Sequence, residues 1–226
     1  MEVIVLAGGM GTRLRSVVNH LPKPMAPVNG KPFLEYLFQW LSLYSVSRII
    51  LSVGYKSETI SEYFGGSFMD IPLEYIIETK PLGTGGALKF ALNYTVEENV
   101  AIINGDTYFP IDLDKFLDFH ILSKSKLSIA LKKMEKFDRY GTVELFGQTI
   151  THFNEKQFCE EGLINGGIYL VNNSFIRLIP LPEVFSFEKE ILEKKANSKN
   201  LRGMIFNEPF IDIGIPEDYF KAAEIV

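Results

Sequence analysis

A glycine-rich turn near the start of the chain, followed by two cationic residues, is the first group of residues that could do chemistry. An apolar run at residues 3–7 stops abruptly at the glycines, and Arg13 and Lys23 follow. A buried strand that ends in such a turn presents backbone N–H groups to phosphate oxygens at the carboxyl edge of a sheet, because glycine has no Cβ to hold a ligand away. Arg13 and Lys23 add positive charge there. We expect this turn to bind a nucleoside triphosphate through Leu6, Ala7, Gly8, Gly9, Met10, Gly11 and Thr12.

Two familiar nucleotide motifs do not fit this turn. The dinucleotide fingerprint needs a third glycine where Leu14 stands, and an uninterrupted helix over a stretch that here holds three prolines. The P-loop pattern, in which Lys and Ser or Thr follow the last glycine, is absent. A tight turn without a ligand is the structural alternative, but it gives the glycines and the cations no role. Pro22 and Pro24 favour a ligand, since they present the Lys23 ammonium from a stiff segment.

Two carboxylates are candidates for holding a divalent cation. Asp106 comes just after an apolar run at residues 100–103, so it should lie at the carboxyl end of a strand, where open α/β sheets bind ligands. Asp212 stands among apolar neighbours, and a buried carboxylate without a partner is costly. Such oxygen ligands suit Mg²⁺, which takes one or two carboxylates together with substrate phosphates. A turn aspartate without a ligand is the alternative for Asp106.

A second glycine-rich loop, over residues 78–87, leads from a predicted strand into a predicted helix. We expect it to bind the base, with Glu78 at its entrance and Gly83 and Thr84 within it. Guanine offers two adjacent donors, N1–H and the 2-amino group, which one carboxylate can accept together, whereas uracil and thymine offer one donor beside an acceptor. Glu78 therefore favours GTP, and a solvated strand end is the other interpretation of this residue.

Strand-like and helix-like segments alternate along the chain. The predicted strands cover residues 3–7, 48–53, 73–77, 100–103, 127–131, 141–146, 149–153 and 168–171. The predicted helices cover residues 33–44, 58–64, 86–94, 113–121, 187–195 and 218–225. Repeated β–α–β crossovers predict an α/β fold with a Rossmann-like, mixed but mostly parallel central sheet and helices on both faces. Gly147-Gln148, between two of the later strands, predicts a hairpin.

Composition restricts the class of protein. At 226 residues the chain fits one domain, which we expect to divide into a nucleotide-binding half at about residues 1–112 and a half for another substrate at about 113–226. A net charge of −5 argues against a general nucleic-acid surface. No apolar run approaches the roughly 18 residues of a membrane span. Cys159 is the single cysteine, so an intrachain disulfide is impossible and a reducing cytoplasm is expected.

The sequence LAGGMGTRL at residues 6–14, followed by PKPM at residues 22–25, resembles the sugar-1-phosphate nucleotidyltransferases, and the likeness extends over the whole chain. Within that family it is most similar to the D-glycero-α-D-manno-heptose 1-phosphate guanylyltransferases. The resemblance implies that Asp106 and Asp212 together hold Mg²⁺. It also implies that Arg13 and Lys23 are the catalytic cations, with Arg13 on the β- and γ-phosphate oxygens and Lys23 on the α-phosphate.

Further segments match the sugar-phosphate half of that family. Glu155-Lys156 resembles a Glu-Lys-Pro element whose lysine faces the sugar phosphate, with Gln157 here in place of the proline. Asn165-Gly166-Gly167 resembles a turn that lines the sugar, and Glu188 resembles an acidic residue that binds sugar hydroxyls. A charged helix face open to solvent is the alternative for Glu188. The resemblance implies a sugar-phosphate site made of Asp106, Gly141, Glu155, Lys156, Asn165, Gly167 and Glu188.

The family likeness implies an in-line displacement, in which a phosphate oxygen of a sugar 1-phosphate attacks the α-phosphorus of a nucleoside triphosphate and pyrophosphate leaves. The expected pair is GTP and D-glycero-α-D-manno-heptose 1-phosphate; GTP with mannose 1-phosphate and UTP with N-acetylmuramate 1-phosphate are alternatives. A non-catalytic, nucleotide-sensing subunit is the alternative of another class, but it would be expected to lack the two cations or the two carboxylates, and all four are present. The expected partners are these substrates, with no nucleic acid and no membrane, and a homodimer is compatible with the sequence.

Overall fold

The computed structural model describes residues 1–9, 11, 13–14, 16–18 and 20–226, and in them a ten-stranded mixed sheet forms the centre of the molecule. The strands are β1 (Glu2–Leu6), β2 (Pro27–Val28), β3 (Lys31–Pro32), β4 (Arg48–Val53), β5 (Ser67–Phe68), β6 (Ile71–Ile77), β7 (Asn99–Asn104), β8 (Thr107–Tyr108), β9 (Leu127–Phe137), β10 (Val143–Phe146), β11 (Thr149–Phe153), β12 (Cys159–Asn172), β13 (Leu201–Phe206) and β14 (Ile211–Asp212). The helices are α1 (Phe33–Leu41), α2 (Ser57–Phe64), α3 (Gly83–Leu92), α4 (Leu113–Leu122), α5 (Asn173–Arg177) and α6 (Pro216–Ala222).

The strand order of the main sheet is β10-β11-β13-β9-β12-β7-β1-β4-β6-β5. Strands β7, β1, β4 and β6 run parallel to one another, so their carboxyl ends meet at one edge. The long strand β12 runs antiparallel to both β7 and β9 and joins the parallel part to the rest of the sheet. Two short ladders, β14 with β8 and β2 with β3, stand outside it. The predicted mixed sheet with a parallel core is confirmed.

Helices cover both faces of the sheet. Val3 and Val5 of β1 pack into one hydrophobic cluster with Leu37 of α1, whereas Ile4 packs into a second cluster with Leu88 of α3. This alternation follows from the two-residue period of a strand, and both clusters are apolar because a parallel sheet of this kind is buried on both faces. Among the described residues, no helix is long and apolar enough to cross a membrane.

The structure extends some predicted elements, shortens others and adds several that the sequence did not predict: β2, β3, β5, β8, β13, β14 and α5. Strand β4 has the predicted bounds, and the hairpin at Gly147-Gln148 is confirmed by the pairing of Phe146 with Thr149 and a φ of 61° at Gly147. Strand β12 begins at Cys159, well before the predicted start at residue 168. The prediction missed its first part because that part is polar and glycine-containing and lacks the apolar pattern of a buried strand. Strand β13 was not predicted. The helix predicted at 187–195 forms, and Glu188–Glu193 within it is π-helical.

Candidate functional site

A cleft of about 570 Å³ opens where the parallel strands end. Each of the four strands contributes a residue at or just after its carboxyl end: Leu6 from β1, Gly54 after β4, Glu78 after β6 and Asn104 from β7. Ligands of open α/β sheets bind at this edge, because the loops that follow the strands surround it. Residues predicted for the nucleotide or catalytic site that line this cleft are Leu6, Ala7, Gly8, Gly9, Gly11, Arg13, Lys23, Glu78, Gly83 and Thr84, and Asp106, predicted for the metal and the sugar phosphate, lines it as well.

The glycine-rich turn runs between two of the cleft's charged groups. A Cβ added at Gly8 would lie 2.5 Å from Oε1 of Glu78, and one added at Gly11 would lie 2.9 Å from the Cβ of Lys23. Gly11 also has a φ of 56°, which side chains rarely adopt. Both glycines are therefore required by close approach. The predicted contacts of Met10 and Thr12 lie outside the described residues.

Lys23 and the two predicted metal-binding carboxylates form one cluster. Lys23 Nζ donates a hydrogen bond of 2.5 Å to Oδ2 of Asp106 and lies 3.6 Å from Oδ1 of Asp212. The side chain of Lys23 is only 11 % exposed. A single positive charge thus lies between two carboxylates that come from distant parts of the chain. Among the described residues, no group of three or more His, Cys, Asp or Glu side chains could hold a metal ion. Asp106 lines the cleft and Asp212 stands beside it across Lys23, and a pair of carboxylates suits a metal such as Mg²⁺ that also binds substrate phosphates.

Local structure explains how Asp212 reaches Asp106. Asp106 lies in the turn between β7 and β8, and the β8–β14 ladder pairs Asp212 with Thr107, the next residue. The N–H of Ile213 also donates to the carbonyl oxygen of Asp106 over 3.0 Å. Gly105 permits the turn, because a Cβ there would lie 2.9 Å from the carbonyl oxygen of Leu6.

The surroundings of Asp212 disfavour its ionised form. Burial and the neighbouring Asp106 carboxylate raise the pKa of Asp212 above its usual range, and the Lys23 ammonium and the N–H of Gly214 only partly oppose this rise. The Gly214 N–H donates to Oδ1 of Asp212 over 2.7 Å. Two close carboxylates whose charges are incompletely compensated attract a further cation.

Glu78 lies beside Gly8, at the end of the glycine-rich turn opposite Lys23. Its N–H continues the β4–β6 ladder by donating to the carbonyl oxygen of Val53 over 2.8 Å, and Ser52 Oγ donates to Glu78 Oε1 over 2.9 Å. Burial raises the pKa of Glu78, while the Ser52 hydroxyl and the Leu82 N–H oppose the rise. The loop beyond Glu78 supplies further cleft residues, and Gly83 in it has a φ of 73°.

Besides Asp106, three residues of the predicted sugar-phosphate site adjoin the cleft. Thr84 Oγ1 donates to Oε2 of Glu188 over 2.8 Å, which ties Glu188 to a cleft residue. Asn165 Oδ1 accepts from the N–H of Gly167 over 3.0 Å. Gly167 packs on Asn104, since a Cβ at Gly167 would lie 2.9 Å from Nδ2 of that cleft residue. Glu188, Asn165 and Gly167 therefore stand beside the nucleotide cleft.

Gly141, Glu155 and Lys156 are not among the residues that line the cleft. Glu155 and Lys156 are exposed in the connection between β11 and β12, and Gly141 packs against the carbonyl oxygen of Asn154. A smaller hollow of about 230 Å³ lies nearby and is lined by Arg139, Tyr140 and Asp212, among others. Asp212 therefore borders both this hollow and the Lys23 cluster.

Several cleft residues were missed from the sequence. They are Pro24, Gly54, Tyr55, Thr79, Lys80, Pro81, Leu82, Ala87, Asn104 and Gly214. Gly54 could have been found, because it follows a predicted buried strand just as Gly8 does. Lys80 and Leu82 lie within the predicted base-binding loop, and Asn104 immediately precedes the Gly-Asp turn.

Comparisons with known proteins agree over nearly the full length of the chain. The family profile described as Nucleotidyl transferase matches residues 2–226. A D-glycero-alpha-D-manno-heptose 1-phosphate guanylyltransferase of Aneurinibacillus thermoaerophilus is 51% identical over 222 residues, 98% of this chain and 96% of that protein. A protein of the same name from Campylobacter jejuni is 48% identical over 221 residues, 97% of each chain.

Solved structures give the same result. The crystal structure of HddC from Yersinia pseudotuberculosis has a TM-score of 0.89 and 39% identity, covering 99% of this chain and 98% of that one. A second crystal structure of HddC, complexed with GMP-PN, has a TM-score of 0.88 at the same identity and coverage.

Proposed function

The chain belongs to the nucleotidyl transferase family, and from that premise we propose that it transfers GMP from GTP to D-glycero-α-D-manno-heptose 1-phosphate and releases pyrophosphate. The observation that carries the proposal is the order of groups along the cleft. Glu78 stands beside Gly8 at one end of the glycine-rich turn, and Lys23 with Asp106 stands beside Gly11 at the other. This order matches a guanine base at one end and phosphates at the other. The names of the two relatives and the GMP-PN complex support the choice of guanine.

The reaction needs positioning and charge stabilisation more than proton transfer. A phosphate oxygen of the sugar 1-phosphate attacks the α-phosphorus, and the bond to the bridging oxygen of pyrophosphate breaks. A phosphomonoester is mostly dianionic at pH 7, since its second pKa is about 6, so the attack needs no general base. Amides of the turn hold the triphosphate, and Arg13 binds the outer phosphates. Lys23 leaves Asp106 and neutralises the charge that builds on the α-phosphate.

Asp106 and Asp212 would hold Mg²⁺ in this proposal. The pair fits the ion because both side chains supply oxygen and already share one cation, the Lys23 ammonium. When bound with the nucleotide, Mg²⁺ neutralises phosphate charge and orients the triphosphate. The two carboxylates fix where it binds, and the β8–β14 ladder keeps them together.

We assign the sugar 1-phosphate to residues on the far side of Asp106. Glu188 and Asn165, beside Thr84 and Asn104, would bind sugar hydroxyls, and Gly167 would allow close approach of the sugar. Lys156 would guide the phosphate, with Gly141 and Glu155 next to it. The division of a single domain into halves at about residue 112 is part of this proposal.

Pyrophosphate release tests the proposal directly. The purified protein is assayed with GTP, UTP, ATP and CTP against D-glycero-α-D-manno-heptose, mannose and N-acetylmuramate 1-phosphates, with Mg²⁺ present. We expect the highest kcat/KM for GTP with the heptose 1-phosphate, and a greatly reduced turnover in an Asp106→Asn control. A higher kcat/KM for mannose 1-phosphate, or for UTP with N-acetylmuramate 1-phosphate, would replace the assignment. Nucleotide binding without turnover on any sugar would indicate a sensing subunit.

Glu78→Gln tests the base assignment separately. The amide replaces one hydrogen-bond acceptor by a donor, so kcat/KM should fall for GTP and rise for UTP. The GTP-to-UTP ratio of kcat/KM should therefore fall by about 10- to 100-fold. An unchanged ratio would move base selection to backbone groups of the loop after Glu78.

We further propose a cytoplasmic location, as the single cysteine suggests, and a homodimer that sedimentation equilibrium would test.

A further inference from the structure

Ser52 is a polar residue in a position where an apolar one would be expected. It lies near the end of the parallel strand β4, is fully buried, and has the apolar residues Leu51 and Val53 on either side. A buried hydroxyl without a partner is costly, so its hydrogen bond is informative. Ser52 Oγ donates to Oε1 of Glu78 over 2.9 Å.

The surroundings of Glu78 leave its carboxylate little freedom. The β4–β6 ladder fixes the backbone of Glu78 through its N–H, which donates to Val53. On the cleft side, Oε1 lies so close to Gly8 that a Cβ there would be only 2.5 Å away. Ser52 on one side and Gly8 on the other therefore enclose Oε1, and the Ser52 hydroxyl together with the Leu82 N–H restricts how the carboxylate can turn.

Orientation matters for the base that Glu78 would read. The N1–H and 2-amino donors of guanine lie side by side in one plane, so they need both carboxylate oxygens in that plane. An oxygen has two lone pairs, so Oε1 can accept from Ser52 and from guanine together. The same hydroxyl also opposes the rise in the pKa of Glu78 that burial causes, which favours the ionised, acceptor-only carboxylate.

We propose that Ser52 is a positioning residue for base selection: its hydroxyl holds the Glu78 carboxylate in the orientation that accepts both donors of guanine. This inference rests on the proposed use of GTP. It assigns to a fully buried strand residue, which does not line the cleft, a part in choosing the nucleotide.

Ser52→Ala tests the inference, with ITP as the informative substrate. ITP keeps N1–H and lacks the 2-amino group, so the GTP-to-ITP ratio of kcat/KM measures how well the second donor is read. We expect this ratio to fall by about 3- to 10-fold in Ser52→Ala, since a net hydrogen bond is worth about 0.5–1.5 kcal/mol. The loss should appear in KM for GTP, with kcat nearly unchanged. Ser52→Thr keeps the hydroxyl and should restore the ratio.

Ser128→Ala is the matched control. Ser128 is also a fully buried strand serine, and its hydroxyl bonds His120 away from the cleft. Both alanine variants should lose thermal stability, but only Ser52→Ala should change the GTP-to-ITP ratio. If wild type prefers GTP and Ser52→Ala keeps the wild-type ratio, the role of Ser52 is structural only and the inference is overturned while the proposed function stands. If wild type does not use GTP, the proposed function fails and the inference fails with it.

Discussion

The segment before residue 113 and the segment after it differ in how firmly they hold the side chains assigned to substrate. In the first segment Lys23 is 11 % exposed and lies between two carboxylates, and Glu78 is fixed by Ser52. In the second segment Glu155 and Lys156 are exposed on a connection between strands. The side chains proposed for the nucleotide are therefore held by contacts within the protein, whereas Glu155 and Lys156, proposed for the sugar phosphate, are open to solvent, so we expect their substrate to immobilise them.

This difference predicts different kinetic signatures for the two segments. A charge held in place before the reaction stabilises the transition state without reorganisation, so its loss should lower kcat. A side chain that substrate must order contributes to binding and has to be immobilised first, so its loss should mainly raise KM. Asp212 is the instructive exception, because it comes from the second segment and is nevertheless held in the preformed cluster.

The largest effect is expected from the two carboxylates. Asp106→Asn and Asp212→Asn should each lower kcat by about 10³-fold at low Mg²⁺, because each removes a charged ligand from the proposed metal site. If the two act on one metal, the double variant should be little worse than either single variant, since residues that act as a unit are not additive. Turnover measured across a Mg²⁺ titration, with melting temperature as the control for folding, checks this. Strictly multiplicative losses would assign the two carboxylates separate roles.

Lys23→Ala should have the next largest effect, lowering kcat by about 10²- to 10³-fold with a much smaller change in nucleotide affinity. Its charge matters most when negative charge builds on the α-phosphate. Single-turnover kinetics together with GTP binding measure the two effects separately. Lys80→Ala is the control, because Lys80, in the proposed base-binding loop, also lines the cleft but pairs with Glu183 instead of the two carboxylates. A nearly normal kcat in Lys23→Ala would remove Lys23 from the mechanism.

The same variant gives a readout that does not depend on turnover. The Lys23 ammonium lies against Asp106, where it would compete with a divalent cation for that carboxylate. Its removal should therefore tighten Mn²⁺ binding without nucleotide by about tenfold. Titration calorimetry on wild type and Lys23→Ala makes the comparison. Weaker Mn²⁺ binding in Lys23→Ala would mean that the ammonium organises the carboxylates rather than competing for them.

A smaller effect is expected from Lys156→Ala. The variant should raise KM for the sugar 1-phosphate by about tenfold, the size of one charge-assisted hydrogen bond of about 1.5 kcal/mol, with little change in kcat or in KM for GTP. Lys133→Ala is the control, because Lys133 is an exposed lysine that pairs with Glu161 on the neighbouring strand. A large loss in kcat would show that Lys156 acts in the transition state and that the two segments do not differ in this way.

Local sequence patterns predicted the first segment better than the second. The parallel strands are mostly apolar, and the groups at their carboxyl ends follow directly from their bounds, as Gly8, Glu78 and Asp106 show. In the second segment, β12 is polar over its first part and β13 pairs in parallel with β9, and neither feature has a local signature.

Local sequence patterns do not predict contacts between residues that are distant in the chain. The sequence marked Asp106 and Asp212 separately, but only the β8–β14 ladder brings them together. Likewise, Ser52 reaches Glu78 because of the β4–β6 register, and register is set by packing across the whole sheet. The family likeness pairs Asp106 with Asp212 as proposed metal ligands, whereas nothing in the sequence points to Ser52.

Acidic pH should distinguish the two segments by their stability, with the smallest expected effect on turnover. Each segment buries a titratable side chain away from the cleft: Glu2 in the first and His120 in the second. Burial raises the pKa of Glu2, but hydrogen bonds from the Glu97 N–H, the Arg48 guanidinium and the Val96 N–H outweigh it and hold the pKa below its usual value. The stability that Glu2 contributes is therefore present above the carboxylate's unfolded pKa of about 4.5 and is lost only at more acidic pH.

His120 should respond at higher pH. Burial, assisted by the nearby Lys126, lowers the pKa of His120 from 6.5 to about 4. Nδ1 of the neutral ring shares a hydrogen bond of 2.7 Å with Ser128 Oγ. Within the described part of the chain, Nε2 of the ring has no hydrogen-bond partner. Because the folded-state pKa is depressed, the unfolded chain takes up the proton first as pH falls. The stability contributed by the neutral ring is complete above pH 6.5 and declines between 6.5 and 4.

Urea unfolding at about pH 7.5 and pH 5 tests this assignment. Wild type should lose about 2 kcal/mol of unfolding free energy between these values, as linkage gives for the pKa values of folded and unfolded His120. His120→Gln keeps a polar group beside Ser128 but cannot titrate, so its stability should be lower at neutral pH and nearly flat down to pH 5. His152→Gln, which changes an exposed histidine, should follow wild type. Neither variant should alter kcat at neutral pH, since neither side chain lines the cleft. A His120→Gln curve as steep as that of wild type would assign the loss to groups other than this ring.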